Sequence, residues 1–374
     1  MKVPRAALVP AFLLTVFTIG CESNSESVAG VEDLTPLFAP RPCVPDDPRG
    51  RCNGSGGNGD NDDLIEVGRA LFFEETFAGN GRTCGTCHRA ENNMSIDVAF
   101  IATLPPGDPL FVAETNLDLE GLEDGGSTGL LRTRGLILEN IQGFENPPVF
   151  RAPPSLFNLS FTAPYGLSGD FANLSDFTVG AVRQHFPKTL AREEDVDFRL
   201  PTESELDALV AFMLSLLLPA DGNFKVSGPN SILSTPDDPR ATDTSRPEVR
   251  GRDLLSSVGC TSCHKKSNKV FSGNTLDTGV EAFMSFGGGD PGDGSVPPRF
   301  QTPQLFVRRA GLFHNNAVGN GAVQFDNLRA SVAFYDSPEF KGSPNGTLVT
   351  FDPDLVKKDQ EIDDIAAFLE AISQ

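Results

Sequence analysis

The chain of 374 residues contains no tryptophan, two tyrosines and four histidines, so a mechanism that needs an indole is excluded and every imidazole or phenol can be accounted for by name. It is also short of cations. Thirty Lys and Arg face 51 Asp and Glu, a formal charge of −21, and because phosphate neutralisation needs a basic surface, nucleic-acid binding is excluded as the default. Beyond the N-terminus no stretch reaches the roughly 20 apolar residues of a membrane-spanning helix. The best candidate, 206–218, is interrupted by Asp207 and Ser215 and reads as a buried helix in a soluble body. What is plentiful is 37 Gly, 29 Pro and 29 Phe, which points to long irregular connections around a phenylalanine-rich interior.

Lys2 and Arg5 precede an apolar run, 6–20, of about 15 residues, too short to span a bilayer and suited to the core of a signal peptide. It ends Thr18-Ile19-Gly20-Cys21. A small residue before a cysteine is the pattern of a bacterial lipoprotein cleavage site, with Cys21 lipidated as the first mature residue; simple secretion is the alternative. Residues 1–20 are therefore read as signal peptide, and 21–60, rich in Ser, Pro, Gly, Asn and Asp, as a flexible tether. Cys43 and Cys52 lie inside the tether. In an oxidising compartment they are expected to form a disulfide, against the reading of two free thiols.

The other four cysteines form Cys84-Gly85-Thr86-Cys87-His88 and Cys260-Thr261-Ser262-Cys263-His264. Both are CxxCH, the attachment motif of c-type haem. Two thiols one helical turn apart can each add across a haem vinyl group, and the adjoining imidazole is then held under the iron as its ligand. The other readings are disulfides or a redox CxxC, and a four-cysteine zinc site. A zinc ribbon keeps its cysteine pairs close in sequence, and neither alternative uses the trailing histidine. Two covalently bound haems are expected, with His88 and His264 on the irons.

The two halves repeat. Gly68-Arg69-Ala70-Leu71 before the first motif parallels Gly251-Arg252-Asp253-Leu254 before the second, and 205–212 matches 361–368 position by position in character. Residues around Pro153-Pro154 and around Pro303 form a shared proline-containing segment. A stretch rich in Pro, Ser, Asp and Thr separates the halves, giving haem domains at 61–220 and 251–374 joined by a linker, 221–250. The expected fold class is mainly α: two tandem cytochrome c-like haem domains with extensive coil, because a haem replaces part of the ordinary core.

With these segments in this order from Leu64 to Ser373, the sequence resembles the bacterial di-haem cytochrome c peroxidase family, which includes the enzyme that matures methylamine dehydrogenase. The resemblance rests on Gly-Arg-x-Leu-Phe-Phe at 68–73, the two CxxCH motifs, Arg-x-x-Pro-Ser-Leu at 151–156, Thr302-Pro303 and Phe313-His314. It implies one haem where peroxide reacts and a second that relays electrons. The far-side ligand of the second haem, a Met or Tyr in the family, falls on Tyr335, seven residues after Leu328. A phenolate there favours ferric iron, whereas Met raises the reduction potential; the plainer reading is a core tyrosine. The family's far-side histidine for the first haem is missing from 143–150. His185 could reach the same side as ligand or as distal acid–base group, against the plainer reading of a satisfied histidine. The family's bridging Trp corresponds to Leu167 and its calcium-binding Asn to Ala152, so bound calcium is doubtful. The family's distal Glu is not placed, with Glu193 and Glu194 shortly after His185. Met94, Met213 and Met284 are further thioether candidates.

Three functions follow as expectations. A peroxidase-type oxidoreductase would reduce hydrogen peroxide with electrons from a small donor protein or redox carrier, and this is favoured. A non-catalytic di-haem electron-transfer cytochrome of the cell envelope is the alternative, and a tyrosine-ligated oxidase of another protein is the third. All place the chain outside the cytoplasm, in the periplasm or as an outer-membrane lipoprotein of a Gram-negative bacterium, touching membrane only through a lipid on Cys21. The acidic runs 117–124 and 193–197 read as solvated loops, and a protein donor would be basic or dock through an apolar patch.

Overall fold

Helix starts are written in the local sequence. Thr202 and Glu205 form a reciprocal capping box at the N-terminus of one helix, Asn173 accepts from the amide of Asp176 at another, and Asp354 accepts from the amides of Val356 and Lys357 at a third. The main helices are α1 (Asn58–Glu74), α2 (Leu174–His185), α3 (Glu203–Ser215), α4 (Pro247–Ser257), α5 (Gln324–Phe334) and α6 (Leu355–Ile372). Shorter turns of helix and long coil join them. Two small antiparallel hairpins complete the described structure: β1 (Ile137–Glu139) pairs with β2 (Val149–Arg151), and β3 (Thr275–Leu276) with β4 (Phe300–Gln301). The computed structural model describes residues 58–119, 129–139, 149–217, 242–264, 273–284, 289–305, 311–318 and 324–373. The signal peptide, Cys21, the tether's Cys43 and Cys52, and most of the linker lie outside the described residues. Helix α1 begins at Asn58, inside the segment read as tether, and α4 begins at Pro247, a few residues before the expected start of the second haem domain.

In the first half α1 packs on α3, and in the second α4 packs on α6. The closest approach falls on matched residues of the repeat. A β-carbon added to Gly68 would lie 1.9 Å from the carbonyl oxygen of Ala208, and one added to Gly251 would lie 1.9 Å from the carbonyl oxygen of Asp364. Helix backbone meets helix backbone at both points, and the obstacle is a carbonyl that cannot rotate aside. Gly68→Ala and Gly251→Ala are therefore each expected to destabilise the chain by about 3 kcal/mol, at the upper end of overpacking costs, read as a fall in the urea unfolding midpoint. An unchanged midpoint would mean that the helices can separate freely.

Around these crossings lie two apolar clusters. The first gathers Ile65, Phe72, Phe77, Leu209 and Phe212, with the Phe72 and Phe212 rings 5.2 Å apart. The second gathers Leu255, Leu328, Phe340, Ile365 and Phe368. Polar contacts join the halves: the Ala152 amide donates to the His314 carbonyl at 2.7 Å, and Asn316 Nδ2 to the Arg134 carbonyl at 2.7 Å. The Arg151 guanidinium grips Asp290 through two bonds of 2.6 and 2.8 Å, both partners almost fully buried. Such a pair offsets its desolvation only when every donor is used. Here Ser168 Oγ accepts from Arg151 at 3.1 Å and Glu139 stands 3.7 Å away.

Candidate active site

Each CxxCH motif occupies a short helical turn, Cys84–Cys87 and Cys260–Ser262, and the histidine that follows donates its amide to the first cysteine's carbonyl, at 3.1 Å for His88 and 2.9 Å for His264. Both thiols of each motif are thus brought to one side. Cys84 packs against the first apolar cluster and Cys260 against the second, so the two pairs do not converge on one tetrahedral zinc site. No disulfide links them. Burial pushes the Cys84 thiol up to about 12 and the Cys260 thiol up to about 11. These are the opposite of the low values a redox dithiol needs.

The imidazole of His88 is oriented from behind. Its Nδ1 lies 3.0 Å from the carbonyl of Met94. A carbonyl can only accept, so Nδ1 carries the proton and Nε2 keeps its lone pair for a metal. Burial holds the ring's pKa down at about 4, leaving it neutral, as a ligand must be. This donor set, with two thiols beside it, fits a c-type haem.

A cavity of about 280 Å³ lies between the halves. The first half contributes Leu156, Leu159, Leu167, Met213 and one face of α2; the second contributes Cys263, His264, Phe300, His314 and Tyr335. The α2 residues on its wall are Leu174, Phe177, Ala181, Gln184 and His185, recurring at helical spacing. His185 and Tyr335, proposed from sequence for opposite haems, line the same cavity. His185 is held neutral, its pKa down at about 3, first by burial and then by the charges of Arg82, Arg192 and His88. Tyr335 follows the end of α5, its ring edge-on to Phe334 and Phe340. Burial, helped by Cys260 and Cys263, pushes the phenol above its ordinary range.

The depressed His185 pKa fixes the sign of a pH effect. The unfolded imidazole binds a proton near pH 6.5 and the folded one only near pH 3, so stability is present above 6.5 and lost as pH falls toward 3, by up to about 1.4 kcal/mol per unit. His185→Gln is expected to lose about 3 kcal/mol less than the parent between pH 7 and pH 4, measured by urea unfolding at the two pH values. Equal losses would place His185 in solvent.

Other candidates go elsewhere. Met94 is wholly buried in the first cluster and supplies its carbonyl to His88, and Met213 packs in that cluster while touching the cavity wall. Met284 packs against the second cluster and gives its carbonyl to Asn315. Glu193 and Glu194 are exposed, Glu194 lying 3.4 Å from Arg183, so neither is the cavity's carboxyl group. Two carboxyl groups line the cavity, Glu139 and Asp170, and burial raises Glu139 above its usual range although Arg151 opposes the shift. His314 stacks on Phe300 at 3.7 Å and directs Nε2 to Glu281 at 2.7 Å. Sequence reasoning missed Glu139 and Glu281, and it named Arg151 only as the first residue of the Arg-x-x-Pro segment without its pairing to Asp290.

No family model and no curated protein matches the chain. Among solved structures, a MauG-like protein associated with microbial copper homeostasis is similar at 17% identity over 90% of this chain and 93% of that one, with a TM-score of 0.53. The diheme peroxidase BthA from Burkholderia thailandensis E264 aligns at 15% identity over 83% of this chain and 86% of its own, TM-score 0.43. Hydrazine synthase from Kuenenia stuttgartiensis aligns at 16% identity over 99% and 100%, TM-score 0.43. The chain thus has a mainly helical fold with little sheet and extensive coil, similar to that of the MauG-like protein.

Proposed function

We propose that the chain is an exported di-haem c-type cytochrome oxidoreductase that reduces hydrogen peroxide to water. One haem is attached at Cys84 and Cys87 with His88 on its iron, the other at Cys260 and Cys263 with His264, and the two haem domains are those of the repeat. The haems supply one-electron storage and a coordination position at which peroxide can bind. The chain's own residues do the rest. The observation that carries this reading is the shared cavity, with His185 on one wall and His264 and Tyr335 on the other.

Hydrogen peroxide needs two electrons and two protons to become two waters, and its first proton must move from one oxygen to the other. A neutral imidazole can make that transfer, and His185 is neutral across the physiological range. Glu139 and the Arg151–Asp290 pair line or adjoin the cavity as polar groups, while Phe171, Phe177 and Leu174 give it apolar lining. Electrons come from a small donor protein or redox carrier.

The test is the optical spectrum of the protein matured with haem, ferric and half-reduced, before and after one equivalent of hydrogen peroxide. A high-spin band that collapses within seconds supports the proposal. Two unresponsive low-spin haems support instead an electron-transfer cytochrome, in which the neutral His185 imidazole serves as a ligand rather than as a base.

A further inference from the structure

We propose that Asn80 is the positioning residue for His185, fixing the end of α2 against the loop that leads into the first CxxCH motif; this rests on the reading of His185 as a cavity group at the first haem. His185 is the last residue of α2. The final carbonyls of a helix have no partner within it and its last turn frays unless something caps it. Pro187 then prevents the helix from continuing. A catalytic or ligating side chain at such a place needs an external cap.

Asn80 provides it in three bonds to three consecutive carbonyls. Its backbone amide donates to Phe186 O at 2.8 Å, and its side-chain Nδ2 donates to His185 O at 3.0 Å and to Pro187 O at 2.9 Å. The side-chain oxygen accepts from the Arg82 amide at 3.1 Å, which turns the NH₂ group toward the helix end. The neighbouring glycine permits the approach: a β-carbon on Gly79 would stand 2.2 Å from Phe186 O. The rings of Phe77 and Phe186, 5.4 Å apart, close the joint on its apolar side.

Asn80 precedes Cys84 by four residues, a reach of at most about 14 Å of chain. One short loop therefore sets both the thiols that would hold the first haem and the imidazole on the cavity wall. Aspartate at this position matches the shape of asparagine but presents oxygens where two donors are needed, so it repels carbonyls that asparagine binds.

The experiment compares holoprotein carrying Asn80→Asp, Asn80→Ala and His185→Gln, with two readouts: amide hydrogen exchange along α2 and α3, and the ferric spectrum. Exchange at the end of α2 is expected to rise about tenfold or more in Asn80→Asp, and less in Asn80→Ala, with α3 unchanged. The spectrum of the first haem should shift in the direction that His185→Gln shifts it, and that of the second should stay. Parental exchange in Asn80→Asp overturns the proposal. So does raised exchange with a parental spectrum when His185→Gln does alter it, since Asn80 would then be merely structural. A spectrally silent His185→Gln removes the cavity role of His185 itself, and the positioning role falls with it. Should the aspartate variant fail to fold, the alanine variant carries the same comparison.

Discussion

Replacing His185 by glutamine is expected to lower kcat/KM for hydrogen peroxide by about 100-fold or more, the range of a lost general acid–base group. Glutamine keeps the volume and polarity but has no group that takes up and returns a proton near neutral pH. Burial and then the charges of Arg82, Arg192 and His88 hold the imidazole's pKa down at about 3, so at neutral pH its lone pair is free to take the peroxide proton transiently and hand it on. Turnover in the parent should therefore be flat from pH 5 to 8 and fall as pH approaches 3, while the variant shows no such limb. The sign of the effect separates the two readings of the protein. If His185 fills a coordination position, its removal opens that position and peroxide reactivity rises. Steady-state kinetics of the variant across pH thus distinguish an enzyme from a relay.

Cys84→Ser with Cys87→Ser is expected to abolish covalent attachment of one haem and leave the other in place. The two motifs stand against separate apolar clusters, Cys84 on the first and Cys260 on the second, so loss at one does not dismantle the other. Peroxide turnover should fall by at least about 100-fold in this variant, because neither a reacting centre without a second electron store nor a store without a reacting centre completes a two-electron reduction. Denaturing gel electrophoresis with haem staining checks the attachment, and stopped-flow mixing with peroxide checks the turnover. A variant that keeps half of the parental rate would show two independent centres.

The sequence made the repeat legible because the constraint is local. Gly68 and Gly251 each stand in the helix that precedes a CxxCH motif, and each meets the carbonyl of one of two residues that the repeat matches, Ala208 and Asp364. His185 itself was legible only through the resemblance; that Leu174, Phe177, Ala181 and His185 share one face of α2 shows once the helix is in place. What was not legible depends on contacts between distant residues. Arg151 and Asp290 are 139 positions apart, and neither carries a mark of burial in its own neighbourhood. Glu139 reaches the cavity wall through the β1–β2 hairpin, whose three-residue strands are too short to show alternation. Asn80 reads as a loop residue between two glycines; its role exists only because α2 ends beside it. Proximity in sequence also says little about a site: Glu193 and Glu194 follow His185 closely and are exposed.

Everything proposed for this chain rests on two haems held through Cys84, Cys87, Cys260 and Cys263. The most direct measurement is the mass of the intact chain under denaturing conditions after expression in a host that matures c-type cytochromes. A gain of two haem masses that survives acid extraction is expected, falling to one in the Cys84→Ser, Cys87→Ser variant. A chain that gains no haem, or whose haem is wholly removed by acid, would contradict it.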